Sequence, residues 1–222
     1  MFSKKLNTKL DKYHLLKHPF YEILWNEGKL TREIIKDYAE QYYQHVKAFP
    51  RYISATHSIC DDIEKRKILL ENLQDEENAE ADHPKLWKKF AAAMGADIKK
   101  IDDVKPDWFT KDMIDNFFAQ ARSSYAEGLA SLYTYERQIP EIAETKIQGL
   151  KKHYGVNSKD GLHFFEAHKS ADVYHRAECE KLLDNLSIEE QEKAEKASIL
   201  TARYLWNFLS GMITKHKLQT AA

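Results

Sequence analysis

The stretch HFFEAHKSADVYHRAE, residues 163–178, places two histidines and an aspartate at helical spacing. His168, Asp172 and His175 are four and three residues apart, so in an α-helix their side chains fall within roughly 40–60° of one another. Two imidazoles and a carboxylate on one face are ligand types that non-haem iron and related metals use. Ten histidines and 35 acidic residues also offer accidental combinations of this kind. The residues alone therefore leave open both a metal site and an ordinary solvated helix face.

The composition indicates a single all-α domain over residues 1–222. The chain is 43% hydrophobic and 12% aromatic, which is enough for a sizeable core, and it has only seven glycines and five prolines. With 34 basic and 35 acidic residues its formal net charge is −1. This balance argues against a nucleic-acid partner, because general polyanion binders carry a basic excess.

The cysteine pattern and the apolar pattern both bear on location. Cys60 and Cys179 lie far apart in the sequence, form no C-x-x-C pair and fit a reducing compartment. The N-terminal residues contain no continuous apolar run before a cleavage site, and no run of 18 apolar residues occurs. We therefore expect no membrane association and a cytoplasmic location, with secretion into a host cell left as an open alternative.

Hydrophobic periodicity and helix end signals predict a compact bundle of about seven substantial helices with a few short pieces. Pro50 predicts a kink or a break in the third segment, because proline lacks the backbone N–H. Thr31 is expected to cap that segment, and Ser187 with Glu190 has the spacing of a capping box. The predicted segments are 3–16, 19–27, 32–60, 63–80, 84–95, 110–137, 140–155, 159–184 and 187–215.

Three further residues have the chemistry of metal ligands. Glu76 and His83 are seven residues apart, which keeps them on one face if the helix continues, whereas Pro84 favours a turn at His83. Glu136 ends an otherwise apolar helix face, where burying a carboxylate is costly unless it is paired or metal-bound. The spacing Glu-x-x-His of ferritin-like proteins occurs only once, at Glu80 and His83, so that pattern is not matched.

Several long segments resemble the haem-oxygenase-like di-metal oxidases. The match is to the branch of the chlamydial protein associating with death domains, which is related to pyrroloquinoline quinone synthesis protein C and to the TenA family. It covers most of the chain. The segments that carry it are HPFYEILWNEGKLT, YAEQYYQHVKAFPRYISATHSICDD, LLENLQDEEN, LYTYERQIPEIAETKIQGL and HKSADVYH.

The resemblance implies a haem-oxygenase-like helical bundle with a buried site for two metal ions, either Fe/Fe or Fe/Mn. Carboxylates together with imidazoles suit such ions. The residues that match the ligand positions of the branch are Glu76, His83, Glu136, His168, Asp172 and His175.

The resemblance also implies an unusual reaction, the synthesis of para-aminobenzoate for folate biosynthesis with dioxygen and an external reductant. By the matching motifs, Tyr21 in HPFY supplies the aromatic ring and Lys146 supplies the amino group. Tyr43 and Tyr135 are predicted to carry a radical between metal and substrate. The residues alone instead favour Tyr21 as a core aromatic beside Phe20 and Trp25, and Lys146 as a solvated helix residue. One extra residue between Tyr21 and Glu76, relative to the branch, would rotate the later residues of a helix by about 100°.

Four other functions remain open from the sequence. A multiple-turnover di-metal oxygenase would use the same ligands on an external small molecule. A cofactor-independent oxidase would not need the three carboxylates, and a thiaminase-like enzyme would need Cys60 or Cys179 as a nucleophile in the cavity. A host-interaction protein would bind a death-domain partner through its surface. A homodimer is expected from the resemblance.

Overall fold

The computed structural model describes residues 1–78 and 81–220, and within α8 it describes only the backbone of residues 170–175. In this part of the chain there are nine α-helices and no strand, so the predicted all-α fold is confirmed. None of the described helices is both long and apolar enough to cross a membrane. The helices are α1 Phe2–Leu10, α2 Arg32–Ser58, α3 Ile63–Glu76, α4 His83–Ala93, α5 Trp108–Ser123, α6 Tyr125–Glu136, α7 Ile139–His153, α8 Lys159–Asp184 and α9 Ile188–Lys215.

Helix starts follow the local capping chemistry of the sequence. Thr31 accepts a hydrogen bond from the backbone N–H of Ile34 at the start of α2. Ser187 and Glu190 form the predicted capping box at the start of α9. Each such cap satisfies backbone donors that have no partner inside the helix and typically stabilises it by about 1 kcal/mol.

Two predicted helices are shorter or divided. The first ends at Leu10 rather than at residue 16, because single 3-10 turns at Asp11–Tyr13 and Leu15–Lys17 come after it. The predicted helix 110–137 is interrupted at Ser124, whose backbone is extended and whose side chain caps α6. The sequence Ser124-x-x-Glu127 carries this signal, but the apolar periodicity that runs through it favoured one helix.

Two further boundaries also differ from prediction. Of the kink or break predicted at Pro50, the break is wrong, because α2 runs without interruption from Arg32 to Ser58 with the proline inside it. The predicted helix 63–80 ends at Glu76. A π-helical turn, Phe20–Trp25, occupies the predicted short helix 19–27.

The core lies between long helices that each contact several others. α2 packs against α3, α4, α5 and α6, and α8 packs against α4, α6 and α7. Trp87, Tyr38 and Phe165 are among the largest fully buried side chains of this core. The described ligand-type side chains where α3, α4, α6 and α8 meet are therefore largely buried.

Candidate metal centre

Three buried ligand-type side chains meet in the region between α3, α4 and α8. Glu76 is the last residue of α3, His83 is the first residue of α4, and His168 lies in the first half of α8. Each offers one ligand atom, and these atoms all lie within 4.8 Å of one another. One carboxylate and two imidazoles at this separation are a donor set suited to a transition-metal ion.

His83 is placed by the local sequence around the start of α4. Asp82 caps the helix by accepting a hydrogen bond of 2.7 Å from the backbone N–H of Lys85. Pro84 occupies the first turn, where its missing N–H costs nothing. His83 therefore begins a new helix rather than continuing α3, and its Nδ1 lies 2.8 Å from Glu76 Oε2.

The contact between His83 and Glu76 allows both side chains to bind a metal ion. His83 Nδ1 lies 2.8 Å from Glu76 Oε2. The alignment is not that of a hydrogen bond, and within the described part of the chain Nδ1 is a buried nitrogen with no hydrogen-bonding partner. Burial favours neutral His83, but the Glu76 carboxylate outweighs it and raises the pKa of His83. An orphaned imidazole nitrogen beside a buried carboxylate fits a metal ligand pair.

His168 is oriented by a hydrogen bond on the side of its ring away from the site. Its Nδ1 lies 2.7 Å from the backbone carbonyl of Phe164, so Nδ1 carries the proton and donates it. A hydrogen bond from one ring nitrogen to a backbone carbonyl is what metal-binding histidines commonly show. The rings of His168 and His83 are 4.1 Å apart, centroid to centroid.

Glu136 approaches from the last turn of α6 and is only 2% exposed. Its Oε1 accepts a hydrogen bond of 2.7 Å from Asn72 Nδ2, and the Cys179 thiol contacts Oε2 at 4.0 Å. Burial raises the pKa of Glu136 to about 8, the Asn72 N–H opposes this, and the charge of Glu76 adds to it. Glu136 does not belong to the group of three within 4.8 Å. It lies close enough for Glu76 to affect its ionisation.

Asn72 was missed from the sequence, although its position offered a signal. It lies one helical turn before Glu76 on α3, so both residues face the site. A buried asparagine that donates to a buried carboxylate holds one of its two oxygens in place. The side chains of Asp172 and His175 lie outside the described residues. Their role as ligands stays a prediction.

A small cavity lies beside this group of ligands and is lined by His168. Its volume is about 20 Å³, roughly enough for one water-sized molecule. Aromatic side chains dominate the wall, and among the described residues no cysteine contributes to it. The polar side chains that line it are Tyr21, Tyr38, Tyr42, Tyr135, Lys146 and His168.

Lys146 lies in this cavity wall and is not solvated. It is only 4% exposed, and its Nζ donates a hydrogen bond of 2.7 Å to the Tyr38 hydroxyl. The Tyr38 hydroxyl is also 3.1 Å from that of Tyr21. Nζ lies 5.0 Å from the centre of the Tyr38 ring and 5.9 Å from that of Tyr21. The two residues singled out by the family resemblance, Tyr21 and Lys146, are thus joined through Tyr38, which the sequence did not single out.

Two tyrosines predicted as radical carriers lie in different environments. Tyr135 lines the cavity, as Tyr42 does, and it is next to Glu136 in the chain. The Tyr43 hydroxyl instead donates to Asp102, 2.8 Å away, and Lys88 lies over its ring. Adjacent helical residues point about 100° apart, so Tyr42 faces the cavity and Tyr43 does not. The position of Tyr43 does not support the radical role predicted for it.

An all-α bundle with a buried carboxylate and two imidazoles is typical of proteins that bind a non-haem metal ion. The chain also matches a family model described as "iron-containing redox enzyme", over residues 36–206. It belongs to this haem-oxygenase-like family and is an oxidoreductase, as the family resemblance predicted.

Similar proteins come from several bacteria. The chain is 39% identical to a protein named 4-aminobenzoate synthase from Chlamydia muridarum, over 96% of this chain and 90% of that protein. It is also 39% identical to a 4-aminobenzoate synthase from Nitrosomonas europaea, over 95% of this chain and 90% of that one. A solved structure of a "cadd-like protein of unknown function" from Nostoc punctiforme has the same fold. Its TM-score is 0.79 at 15% identity, over 96% of both chains.

Proposed function

We propose that this protein is an oxygen-dependent metal oxidase that makes 4-aminobenzoate from its own side chains. Tyr21 supplies the ring, Lys146 supplies the amino group, and an external reductant supplies electrons. The observation that carries the proposal is the buried Lys146 amine, which packs against the Tyr21 and Tyr38 phenols in a cavity also lined by His168. The relatives named 4-aminobenzoate synthase support the product.

The size of the cavity favours an internal ring over an external substrate. Pockets for small molecules usually enclose about 300–1,000 Å³. The volume beside His168 is about 20 Å³, which suits a molecule of the size of dioxygen or water. A multiple-turnover oxygenase acting on an external aromatic acid or amine would need a much larger space. The absence of a cysteine from the described cavity wall also disfavours a thiaminase-like reaction.

Lys146 has the ionisation that an amine donor needs. Burial lowers its pKa to about 7, so a large fraction of the amine is neutral and nucleophilic at neutral pH. Five aromatic rings, rather than carboxylates, lie within 5.9 Å of Nζ. An ordinary exposed lysine would be almost fully protonated at this pH.

A line of phenols connects the ligand region with Tyr21. Tyr135 precedes Glu136 and lines the cavity together with Tyr42. Tyr42 stacks on Tyr38, with ring centres 5.5 Å apart, and Tyr38 is hydrogen-bonded to Tyr21. Burial raises the pKa of both Tyr21 and Tyr42, so these phenols keep their protons at rest. Successive one-electron oxidations along this line would end with the oxidation of Tyr21.

The ligands proposed for two ions, Fe/Fe or Fe/Mn, are the six residues predicted from the resemblance. When bound, the metal ions supply the electrons that activate dioxygen. The carboxylates of Glu76 and Glu136 offset positive charge, and the imidazoles of His83 and His168 complete the donor set. These four side chains are each at most 7% exposed, so they have little contact with bulk water.

The experiment is a single-turnover assay with mass spectrometry. Protein grown with ¹⁵N-lysine is loaded anaerobically with ferrous iron, with and without manganese, and then given reductant and oxygen. We expect at most one equivalent of 4-aminobenzoate per chain, with ¹⁵N in its amino group and a mass loss at Tyr21. Product well above one equivalent, or product without the label, would contradict the proposal.

Substitutions distinguish which of two phenols near Lys146 supplies the ring. Because Nζ lies nearer to Tyr38 than to Tyr21, the geometry makes Tyr38 the competing ring donor. We expect Tyr21→Phe to abolish the product and Tyr38→Phe to slow it while Tyr21 is still consumed. A mass loss at Tyr38 would show that Tyr38, rather than Tyr21, supplies the ring of the product. Tyr13→Phe, in the turn after α1, is the matched control and should leave the yield unchanged.

A further inference from the structure

An open cleft on the surface of the protein reaches one member of the buried ligand group. The cleft lies between the middle of α2, the end of α3 and the start of α4, and its volume is about 350 Å³. Glu76 lines it, although this residue is only 6% exposed. Glu76 Oε2 is in turn 2.8 Å from His83 Nδ1, a buried nitrogen that has no hydrogen-bonding partner in the described part of the chain. The cleft therefore leads through Glu76 to an unsatisfied imidazole.

The ligand group also borders the aromatic cavity, which is lined by His168 but has a volume of only about 20 Å³. A divalent cation that keeps six water molecules needs roughly 180 Å³, at about 30 Å³ for each water. Dehydrating the cation first would leave its charge against apolar rings that cannot replace the lost water. A hydrated cation therefore fits the cleft beside Glu76 and does not fit the aromatic cavity.

The carboxylates of the cleft favour a cation at its inner end. Its wall has three carboxylates, those of Glu76, Glu77 and Asp82, and two cationic side chains, Lys47 and Arg51. The Asp82 carboxylate is fixed as the cap of α4, whereas Glu77 is exposed. In the part of the chain that the structure describes, no hydrogen bond or ion pair engages the Glu77 carboxylate. Glu77 is therefore available to meet a cation that arrives from solution.

The two cationic side chains of the cleft are held by other groups. Lys47 Nζ lies 3.5 Å from Asp102 Oδ1, and the guanidinium carbon of Arg51 lies 4.8 Å from the centre of the Phe118 ring. Among the described residues, neither forms an ion pair with a carboxylate of the cleft. Because Asp102 offsets the charge of Lys47, the repulsion that a cation meets in the cleft is reduced.

We propose that this cleft is the entrance for the metal ions, and that Glu77 and Asp82 attract a hydrated divalent cation, ferrous or manganous, toward Glu76. The proposal rests on the proposed function only for the metal centre itself. Water molecules leave the cation into the open cleft as Glu76 Oε2 and then His83 Nδ1 take their place. No electron is transferred in this step, so the charge of the ion does not change.

The test compares two labels of opposite charge at one position of the cleft. Cys60 and Cys179 are each only 3% exposed, so a thiol introduced by Glu77→Cys can be labelled selectively through a disulfide. One label ends in a trimethylammonium group and the other in a sulfonate. Stopped-flow tryptophan fluorescence follows the binding of cobaltous ion to metal-free protein, and the component that is absent from His83→Ala reports this site. At low salt we expect association to be at least about ten-fold slower with the trimethylammonium label than with the sulfonate, because fields in charged clefts change association rates by about 10–10³-fold.

A matched variant keeps the result specific to the cleft. Glu189→Cys, in the first turn of α9 and outside the lining of the cleft, carries the same two labels and should give equal association rates. The difference at position 77 should shrink as salt is added, because salt screens exposed charges. If Glu77→Cys does not fold, Glu77→Gln replaces it and should bind cobaltous ion more slowly than the unaltered protein.

Equal association rates for the two labels at position 77 would overturn the proposal, and so would the same difference at position 189. If the trimethylammonium label only speeds dissociation into a chelator, it acts on the bound ion and not at an entrance. Absence of a His83-dependent signal in the unaltered protein would overturn the proposal together with the metal centre. Failure of the metal-loaded protein to make 4-aminobenzoate would count against the proposed function alone.

Discussion

At the scale of single residues, Lys146 shows how burial changes chemistry. The ammonium form of lysine is strongly hydrated, and α7 carries this side chain into an aromatic cavity where it is only 4% exposed. The free-energy cost of removing the side chain from water falls on its charged form, so the neutral amine is favoured. The same burial that destabilises the folded chain makes the amine reactive.

This gives a prediction about stability and pH for metal-free protein. The pKa of Lys146 is about 7 in the folded chain, against an ordinary value of 10.5. Between these values the unfolded chain binds more protons, so the stability of the unaltered protein rises with pH across this window. Lys146→Met should therefore be more stable at pH 6, by an amount on the order of a few kcal/mol that shrinks toward pH 10. Urea unfolding at several pH values measures this. A difference that does not change with pH would contradict it.

A second prediction at this scale concerns Asn72. Asn72→Ala removes the N–H that holds Glu136 Oε1 and should weaken ferrous iron binding by about 10–100-fold, as loss of groups that orient ligands commonly does. Anaerobic titration measures the affinity. Asn116→Ala is the matched control, because Asn116 is also buried but donates to Thr201, away from the ligands. Equal affinities in Asn72→Ala and the unaltered protein would contradict a role for Asn72.

At the scale of elements, the close approach of α6 to α2 sets the position of Glu136. A Cβ at Gly128 in α6 would lie 2.4 Å from Oγ1 of Thr56 in α2, so the two helices meet at a distance that only glycine allows. The interruption at Ser124 lets α6 begin in its own direction, separate from α5. Glu136 lies two turns beyond Gly128 on the same helix.

We therefore expect Gly128→Ala to destabilise the protein by about 1–3 kcal/mol, because overpacking exceeds the gain of up to about 1 kcal/mol in helix propensity. The free energy of unfolding from urea denaturation measures the change. Thr56→Ala combined with Gly128→Ala should recover part of the loss relative to Thr56→Ala alone. Stabilisation by Gly128→Ala alone would show that the helices separate easily.

At the scale of the whole molecule, the candidate ligands come from two consecutive helices and from a third helix that is distant in the chain. Glu76, His83 and His168 are the C-terminal residue of α3, the N-terminal residue of α4 and a residue within α8. An ion bound to all three would hold these elements together only in the folded state. Metal binding should therefore increase the free energy of unfolding of the whole chain.

Ferrous iron at about 100 times its dissociation constant should stabilise the fold by about 2.7 kcal/mol. For a chain of this length that corresponds to a rise in Tm of about 5–10 °C. Anaerobic thermal melts measure the shift. His83→Ala should remove it, and His57→Ala, at the end of α2, is the matched control that should keep it. An equal shift in both variants would place the ion elsewhere. The homodimer and the death-domain partner stay predictions, which sedimentation velocity and binding assays would test.

The sequence by itself determined the features that depend on neighbours within one or two helical turns. Composition and periodicity were sufficient for the all-α class, and Thr31 and the pair Ser187–Glu190 marked helix starts by capping chemistry alone. Long motifs identified the family, because extended matching segments rarely arise by chance. The division at Ser124 shows the limit of such local signals. Capping chemistry predicted a new helix there, whereas apolar periodicity predicted one continuous helix.

Only the tertiary structure decided which side chains share the cavity. The packing of α2 turns Tyr38 and Tyr42 toward the cavity and turns Tyr43, which is also buried, toward Asp102. α7 brings Lys146 against Tyr38. The packing of α2 also leaves His45 without hydrogen-bonding partners among the described residues. These outcomes depend on how each helix is rotated about its axis against helices far away in the chain. The rotation is fixed by the combined packing of the whole core, which no local pattern of residues encodes.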